Sequence, residues 1–273
     1  MPSAETLRQE LLLLVNGERL NAGLQPVQLD DLANRVGERH ARELAEGGYL
    51  SHWSRNGWKP YMRYSFAGGT DAMAENVARL SGMTVSGNPR IREYLREMHI
   101  SMHDEKPPHD GHRRTILRPE HTHVGFGFAA YGSELRLTEE FLSRYVEMES
   151  PPQTARPKDV VTLKGRVLDA KYVLMNIQTF YEPTPKTLSL DWLRRSGSYG
   201  LPDTSQILKP LLSDGRMYED YTKGEISLSS KGRFQAPVKL FMDGPGVYTV
   251  VVWIAEKKAQ RPFPATNICI EAK

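Results

Sequence analysis

With 273 residues, 39% of them hydrophobic, the chain is long enough for two ordinary globular domains, each with its own core. Its 36 basic residues are almost balanced by 33 acidic ones, a net charge of +3, so nucleic acid is not implied as a partner. The single cysteine, Cys269, excludes an internal disulfide and fits a buried structural thiol.

The one strongly apolar run near the start, residues 11–15, is flanked by Arg8, Glu10, Glu18 and Arg19. It is too short for a membrane span and lacks the flanks of an export signal. Entry into a helix directly after Met1-Pro2-Ser3 fits a trimmed N-terminus. Periodicity predicts that helix over 4–22, with Leu7, Leu11, Leu14 and Val15 on the apolar face and Gly23 ending it. A second helix is predicted over 29–45, where Leu32, Val36, His40 and Leu44 share one side, so that His40 points inward and Gly47-Gly48 close the element. Residues 72–80 and 90–102 read as further helices, and 122–131 and 134–146 as paired strands. The mixture is that of a sheet covered by helices.

Three prolines in the seven residues 151–157 disfavour both helix and central strand, which places a domain boundary there, between a domain at 1–150 and another at 158–273. The second is strand-rich, with predicted strands at 160–168, 172–181, 225–229, 236–242, 247–255 and 266–271, and reads as a β-sandwich. Over 246–254 both alternating faces are apolar, as in a central strand covered on both sides, with Trp253 in its core. Trp192 is the better candidate for an exposed aromatic, although packing is favoured over ligand binding there too.

All eight histidines lie between His40 and His123, so the chemistry is expected in the first half. His52 follows the second helix in an aromatic stretch with Trp53, Trp58, Tyr61 and Tyr64. Glu75 and Asn76 interrupt an apolar segment, where a carboxylate must find a partner or face a cleft. Glu105 and His112 are separated by a loop whose Pro107-Pro108 and Asp110-Gly111 permit a sharp reversal. Ser51 beside His52 is poorly placed for a dyad, because adjacent residues of an extended segment point to opposite faces. His99, His103, His109, His121 and His123 read as solvated loop or helix-face residues. Arg113 and Arg114 read as the start of a helix, one solvated and one packed.

Taken together, Asn16 and Arg19, Ser51-His52, Ala74-Glu75-Asn76, Gly111-His112-Arg113-Arg114-Thr115-Ile116-Leu117 and His123-Val124-Gly125-Phe126-Gly127 resemble the CAP superfamily. That superfamily comprises cysteine-rich secretory proteins, antigen 5 and pathogenesis-related proteins, and the chain resembles its cysteine-poor bacterial branch over roughly residues 4–148. The resemblance implies an α-β-α sandwich for this stretch and a location outside the cytoplasm, in the cell envelope or beyond it; with the strand-rich half read as an immunoglobulin-like all-β sandwich, the chain is α+β. It also implies a cleft tetrad in which His52, Glu75 and His112 match three members. Glu105 is preferred as the fourth and Glu97 is the reserve.

Two imidazoles, His52 and His112, suit a transition metal, with zinc the default, and the glutamates are placed to accept hydrogen bonds from water or from the ring nitrogens. Without a His-Glu-x-x-His motif or a committed third ligand, such a zinc would be loosely held. No catalytic residue is assigned. The leading expectation is a protein that binds a divalent metal, small molecule, lipid or envelope component, with the second domain for attachment or partner binding. The alternative is a metal-dependent hydrolase of peptide, cell-wall or lipid material with Glu75 or Glu105 as general base.

Overall fold

The computed structural model of the protein describes residues 2–82, 90–259 and 261–273. Two units interleave along the chain. The first holds Met1–Ala67, Met73–Leu142 and Thr187–Tyr199, and the second Gly68–Ala72, Ser143–Lys186 and Gly200–Lys273. Segment Thr187–Tyr199, which composition alone groups with the strand-rich half, thus packs within the first unit.

In the first unit α1 (Ala4–Asn21) starts where the Ser3 hydroxyl accepts the Thr6 N–H, and β1 (Gln28–Leu29) follows it. Asp30 caps α2 (Asp31–Gly47), which ends on Gly48 in the left-handed region at φ 62°. Next come α3 (Pro60–Phe66), β2 (Ala72–Ser81), α4 (Ile91–His103), α5 (Gly111–Ile116), β3 (His123–Tyr131) and β4 (Glu134–Ser143). Much later in the chain α6 (Leu190–Arg195) rejoins this unit.

The strands form one sheet in the order β1-β3-β4-β2, with β1 parallel to β3 and β3 antiparallel to β4. Strand alternation sorts its residues into two layers. Val124, Phe126, Leu135, Leu137 and Phe141 meet Leu7, Leu11 and Val15 of α1 and Leu95, Met98 and Met102 of α4. On the other face Met73 and Leu142 meet Ala33 and Val36 of α2 and Tyr64 of α3. Helices therefore cover both faces, the expected α-β-α sandwich. Glycine permits the close seat of α2, since a Cβ on Gly127 would stand 2.0 Å from the Gly37 carbonyl carbon.

Residues 72–80, predicted helical, are strand β2. The segment is buried along both faces for most of its length, which removes the polar–apolar alternation that marks a half-exposed strand, and its Ala, Met, Glu and Leu are good helix formers. The predicted strand 134–146 is likewise two elements, β4 and β5 (Val146–Met148).

The second unit is built from β5, β6 (Thr154–Ala155), β7 (Val160–Val167), β8 (Tyr172–Pro183), β9 (Ser205–Leu208), β10 (Ser227–Leu228), β11 (Arg233–Lys239), β12 (Gly246–Glu256), β13 (Phe263–Pro264) and β14 (Ile268–Ala272). They make two sheets, β10-β11-β7-β5 and β6-β14-β12-β8-β9, with β13 added to β12. Leu163, Phe234, Ala236 and Val238 of the first sheet share one core with Ile177, Val250, Val252, Ile254 and Ile268 of the second. Both faces of β12 are buried at Val247–Val252, as expected of a central strand, while Trp253 is half-buried. Cys269 is a buried thiol beside the Thr249 hydroxyl.

Candidate functional site

On the α2 and α3 side of the sheet, alternation points Met73, Glu75 and Val77 of β2 toward the helices. Glu75 is buried and held from two directions. The Arg63 guanidinium of α3 pairs with Oε2, and His52 Nδ1 lies 2.8 Å from Oε1. Arg63 also donates to the His52 carbonyl at 2.7 Å, so one arginine positions both partners. Burial alone would raise the Glu75 pKa, but the charges of Arg63 and His40 and the bond from His52 hold it well below the usual carboxylate range. An ionised carboxylate only accepts, so Nδ1 of His52 carries the proton and a neutral ring presents Nε2 as its lone pair.

Beneath this pair lies a second acid. Glu140 of β4 is fully buried, and burial together with the Glu75 charge pushes its pKa well up. His40, buried as expected, bonds the Ser51 carbonyl through Nε2 at 2.9 Å, and burial beside Arg63 lowers its pKa to about 4.

Glu105 and His112, which the loop was expected to bring together, also meet. His112, at the start of α5, places Nδ1 2.5 Å from Glu105 Oε1, while Glu105 Oε2 accepts the His112 backbone N–H at 3.0 Å. Glu105 is therefore the glutamate that meets His112, and Glu97 is exposed on α4. Consecutive residues of β2 serve the two pairs, since Glu75 holds His52 while the Asn76 amide donates to the His112 carbonyl at 3.3 Å. His112 is the more open imidazole, its side chain 32% exposed against 15% for His52.

Behind Asn76 runs a buried chain on the α1 and α4 side. Asn76 donates to Glu139 Oε2 at 3.1 Å, Glu139 Oε1 lies 2.6 Å from His99 Nδ1, and His99 Nε2 lies 2.9 Å from Glu18. This corrects the reading of His99 and His121 as solvated. Both are buried, and their apolar helical and loop neighbours gave no hint of carboxylates arriving from distant strands. Burial works against charging His99, yet Glu139 and then Glu18 raise its pKa to about 10. Burial, together with the charges of Arg118 and Arg19, lowers the pKa of His121.

A histidine raised in this way contributes stability that is complete below its unfolded value near 6.5 and is lost as pH climbs through about 10. The protein is expected to weaken by on the order of a few kcal/mol across that window, and His99→Gln to flatten the loss. Nitrogen NMR checks the premise: His99 should carry both ring protons at about pH 8, and a neutral ring there would refute it.

Sequence reasoning missed Arg63, Glu139, Glu140 and the role of His99. The adjacent glutamates in an otherwise strand-like run were a usable signal for two inward carboxylates. Arg63, inside an aromatic stretch, gave none. A further missed residue is Tyr199 of the rejoining segment, whose ring centroid stands 4.8 Å from that of His52 and whose hydroxyl accepts the Glu75 N–H at 2.9 Å. Burial and the Glu75 charge raise its pKa, so the phenol stays protonated.

Chemically, each carboxylate occupies Nδ1 of its histidine and leaves Nε2 to accept a proton or ligate an ion, the usual relation between a ligating histidine and its orienting acid. Among the described residues no group of three or more His, Cys, Asp or Glu side chains is arranged to hold a metal ion. Two imidazoles, each with its carboxylate already occupied at Nδ1, do not make a closed structural centre.

Comparison with known proteins agrees with the first unit. The sequence model described as CAP: Cysteine-rich secretory protein family matches residues 12–142. Over 143 residues, 52% of the chain, there is 26% identity to the protein called Uncharacterized protein YkwD of Bacillus subtilis (strain 168), and the match spans about half (49%) of that relative. Among solved structures, an extracellular protein containing a SCP domain from Bacillus anthracis str. Ames matches 51% of this chain and 41% of its own, at 20% identity and TM-score 0.38. An outer surface protein from Borrelia burgdorferi matches 53% of this chain and 96% of its own, at 16% identity and TM-score 0.41.

Proposed function

We propose, from the premise that residues 12–142 form a domain of the CAP, or cysteine-rich secretory protein, family, that this chain is a ligand-binding protein rather than a committed enzyme. In this reading His52 and His112 present their Nε2 atoms to a divalent ion or a small polar ligand. The observation that carries it is that Glu75 and Glu105 are each spent on orienting a histidine. Zinc is the ion that two neutral imidazoles suit best, and it would supply a site for water or a ligand oxygen when bound. An extracytoplasmic location accompanies the reading through the family's secretory character. The described residues include no helix long and apolar enough to cross a membrane. The β-sandwich unit is assigned to attachment or partner binding.

The hydrolase alternative is weaker for a physical reason. A general base works best with a pKa near the operating pH, whereas Glu75 is ion-paired with Arg63, bonded to His52 and held far below that range. Of the two glutamates, only Glu105 then remains as a candidate base. A lipid ligand has one observation in its favour: a groove of about 270 Å³ between α1 and α4, lined by Leu7, Leu11, Leu13, Leu14 and Leu95 and by Arg92 and Arg96.

Titration calorimetry with zinc, in a buffer free of chelating groups, tests the proposal. The expected result is binding near one equivalent that disappears in His52→Ala/His112→Ala. No binding, or binding that survives the double substitution, removes the metal.

A further inference from the structure

Segment Thr187–Tyr199 lies on the first unit, beyond the stretch that the family accounts for. The Leu188 N–H donates to the Arg55 carbonyl at 2.8 Å, and Ser189 caps the six-residue α6. Leu193 is fully buried in a cluster with Leu44, Tyr49 and Val77. Trp192 stands edge-on to Trp53 at 5.2 Å, and the Ser196 and Ser51 hydroxyls meet at 2.5 Å. Last in the segment, Tyr199 rests on His52 and takes the Glu75 N–H.

We propose that Thr187–Tyr199 is a lid over the His52–Glu75 pair, latched by Leu193 and Tyr199, which a ligand must displace to reach the imidazole. The attachment is light. Leu193 is fully buried, whereas Asp191, Trp192, Arg194, Arg195, Gly197 and Ser198 are exposed. A helix of six residues has no stability of its own, so a segment pinned by buried Leu193, half-buried Leu188 and Leu190, a few ring contacts and a few hydrogen bonds opens before the sheet does.

The latch also states what a displacing ligand must bring. When Tyr199 leaves, the Glu75 N–H of this sheet-edge strand loses its acceptor, so an incomer that supplies an oxygen there replaces the lost bond. The Tyr199 ring packs on His52, with Tyr61 at 6.3 Å and Trp53 at 6.5 Å, and those surfaces suit a planar apolar body. The ligand class is therefore an aromatic or similarly flat group bearing a hydroxyl or carbonyl oxygen. Access to His52 does not depend on whether the ring binds metal, so a failed zinc titration leaves the lid standing.

The test is the rate at which diethyl pyrocarbonate modifies His52 at neutral pH in the full chain. The rate is read by mass spectrometry on tryptic fragment 43–55, where His52 is the sole histidine. Tyr199→Ala and Leu193→Asp are each expected to speed modification by about tenfold or more, Tyr199→Phe, which keeps the ring but removes the acceptor of the Glu75 N–H, to give a smaller rise, and millimolar p-cresol to restore protection in Tyr199→Ala. Equal rates in the wild type and both lid variants would overturn the lid, and absence of p-cresol protection would overturn the ligand class. Hydrogen exchange on the wild type guards against a variant that fails to fold. Amides of α6 should exchange through local opening, faster than those of β4, and exchange of both only by global unfolding would overturn the lid as well.

Discussion

Replacing Arg19 with methionine is expected to destabilise the first unit by about 3–5 kcal/mol, because four buried or half-buried carbonyls lose their donor at roughly 1 kcal/mol each. Arg19 is 0% exposed near the end of α1. Its Nε donates to Gln25 O, its Nη1 to Ile116 O and Arg118 O, and its Nη2 to His121 O, all within 2.8–3.1 Å. One guanidinium thus closes the turn after α1 and organises the loop that carries the chain from α5 into β3. Methionine keeps much of the apolar stem and deletes every donor. Arg19→Lys is expected to recover only part of the loss, since a compact ammonium cannot span donors pointing to four separate oxygens. Because two units need not unfold together, the measurement is protection of β3 amides against hydrogen exchange in denaturant. A loss below about 1 kcal/mol would contradict the account.

Gly127→Ala is expected to be worse, costing more than about 4 kcal/mol or preventing the first unit from folding. The added carbon would lie 2.0 Å from the Gly37 carbonyl carbon and 2.2 Å from the Glu38 nitrogen, and backbone cannot step aside unless α2 lifts off the sheet. Gly125→Ala meets the Ala33 and Asn34 backbone at 2.4 Å and should behave alike. Gly37→Ala should be milder, because its nearest obstacle is the Thr138 hydroxyl at 2.6 Å, a side-chain end that can rotate. Soluble yield and urea unfolding of the three variants give the comparison. Gly127→Ala melting close to the wild type would show that α2 is not clamped by these glycines.

Much of this architecture was legible in the sequence where one face of an element meets water. Helices α1, α2 and α4 announce themselves by three- and four-residue spacing, and Gly48 closes α2 where it was expected. Strand β2 was not legible because burial on both faces erases the alternation. Within the site, His52, Glu75, Glu105 and His112 were named from motif order, and the structure joins them as His52–Glu75 and Glu105–His112. Their supports were out of reach for a different reason. Glu139, His99 and Tyr199 act through contacts spanning 40 to 124 residues, and even Arg63 reaches His52 and Glu75 across 11 and 12, separations that no helix or strand periodicity encodes.

Strand β4 is buried along nearly its whole length on both sides, and this bears on how the sheet finds its alignment. Ordinarily a one-residue slip is forbidden because it would turn the greasy side of a strand to water. For β4 neither side is wet, so greasiness cannot choose between alignments. The choice falls to the polar groups set into it: Glu139 answering His99 and Asn76 on one side, and Arg136, reaching the Tyr49 carbonyl, with Glu140 on the other. Slipping by one position would present Glu140 to the His99 side, turn Glu139 toward Glu75 and leave Arg136 among leucines. The same charges that set up the two histidines therefore act as the key by which the central strand is threaded.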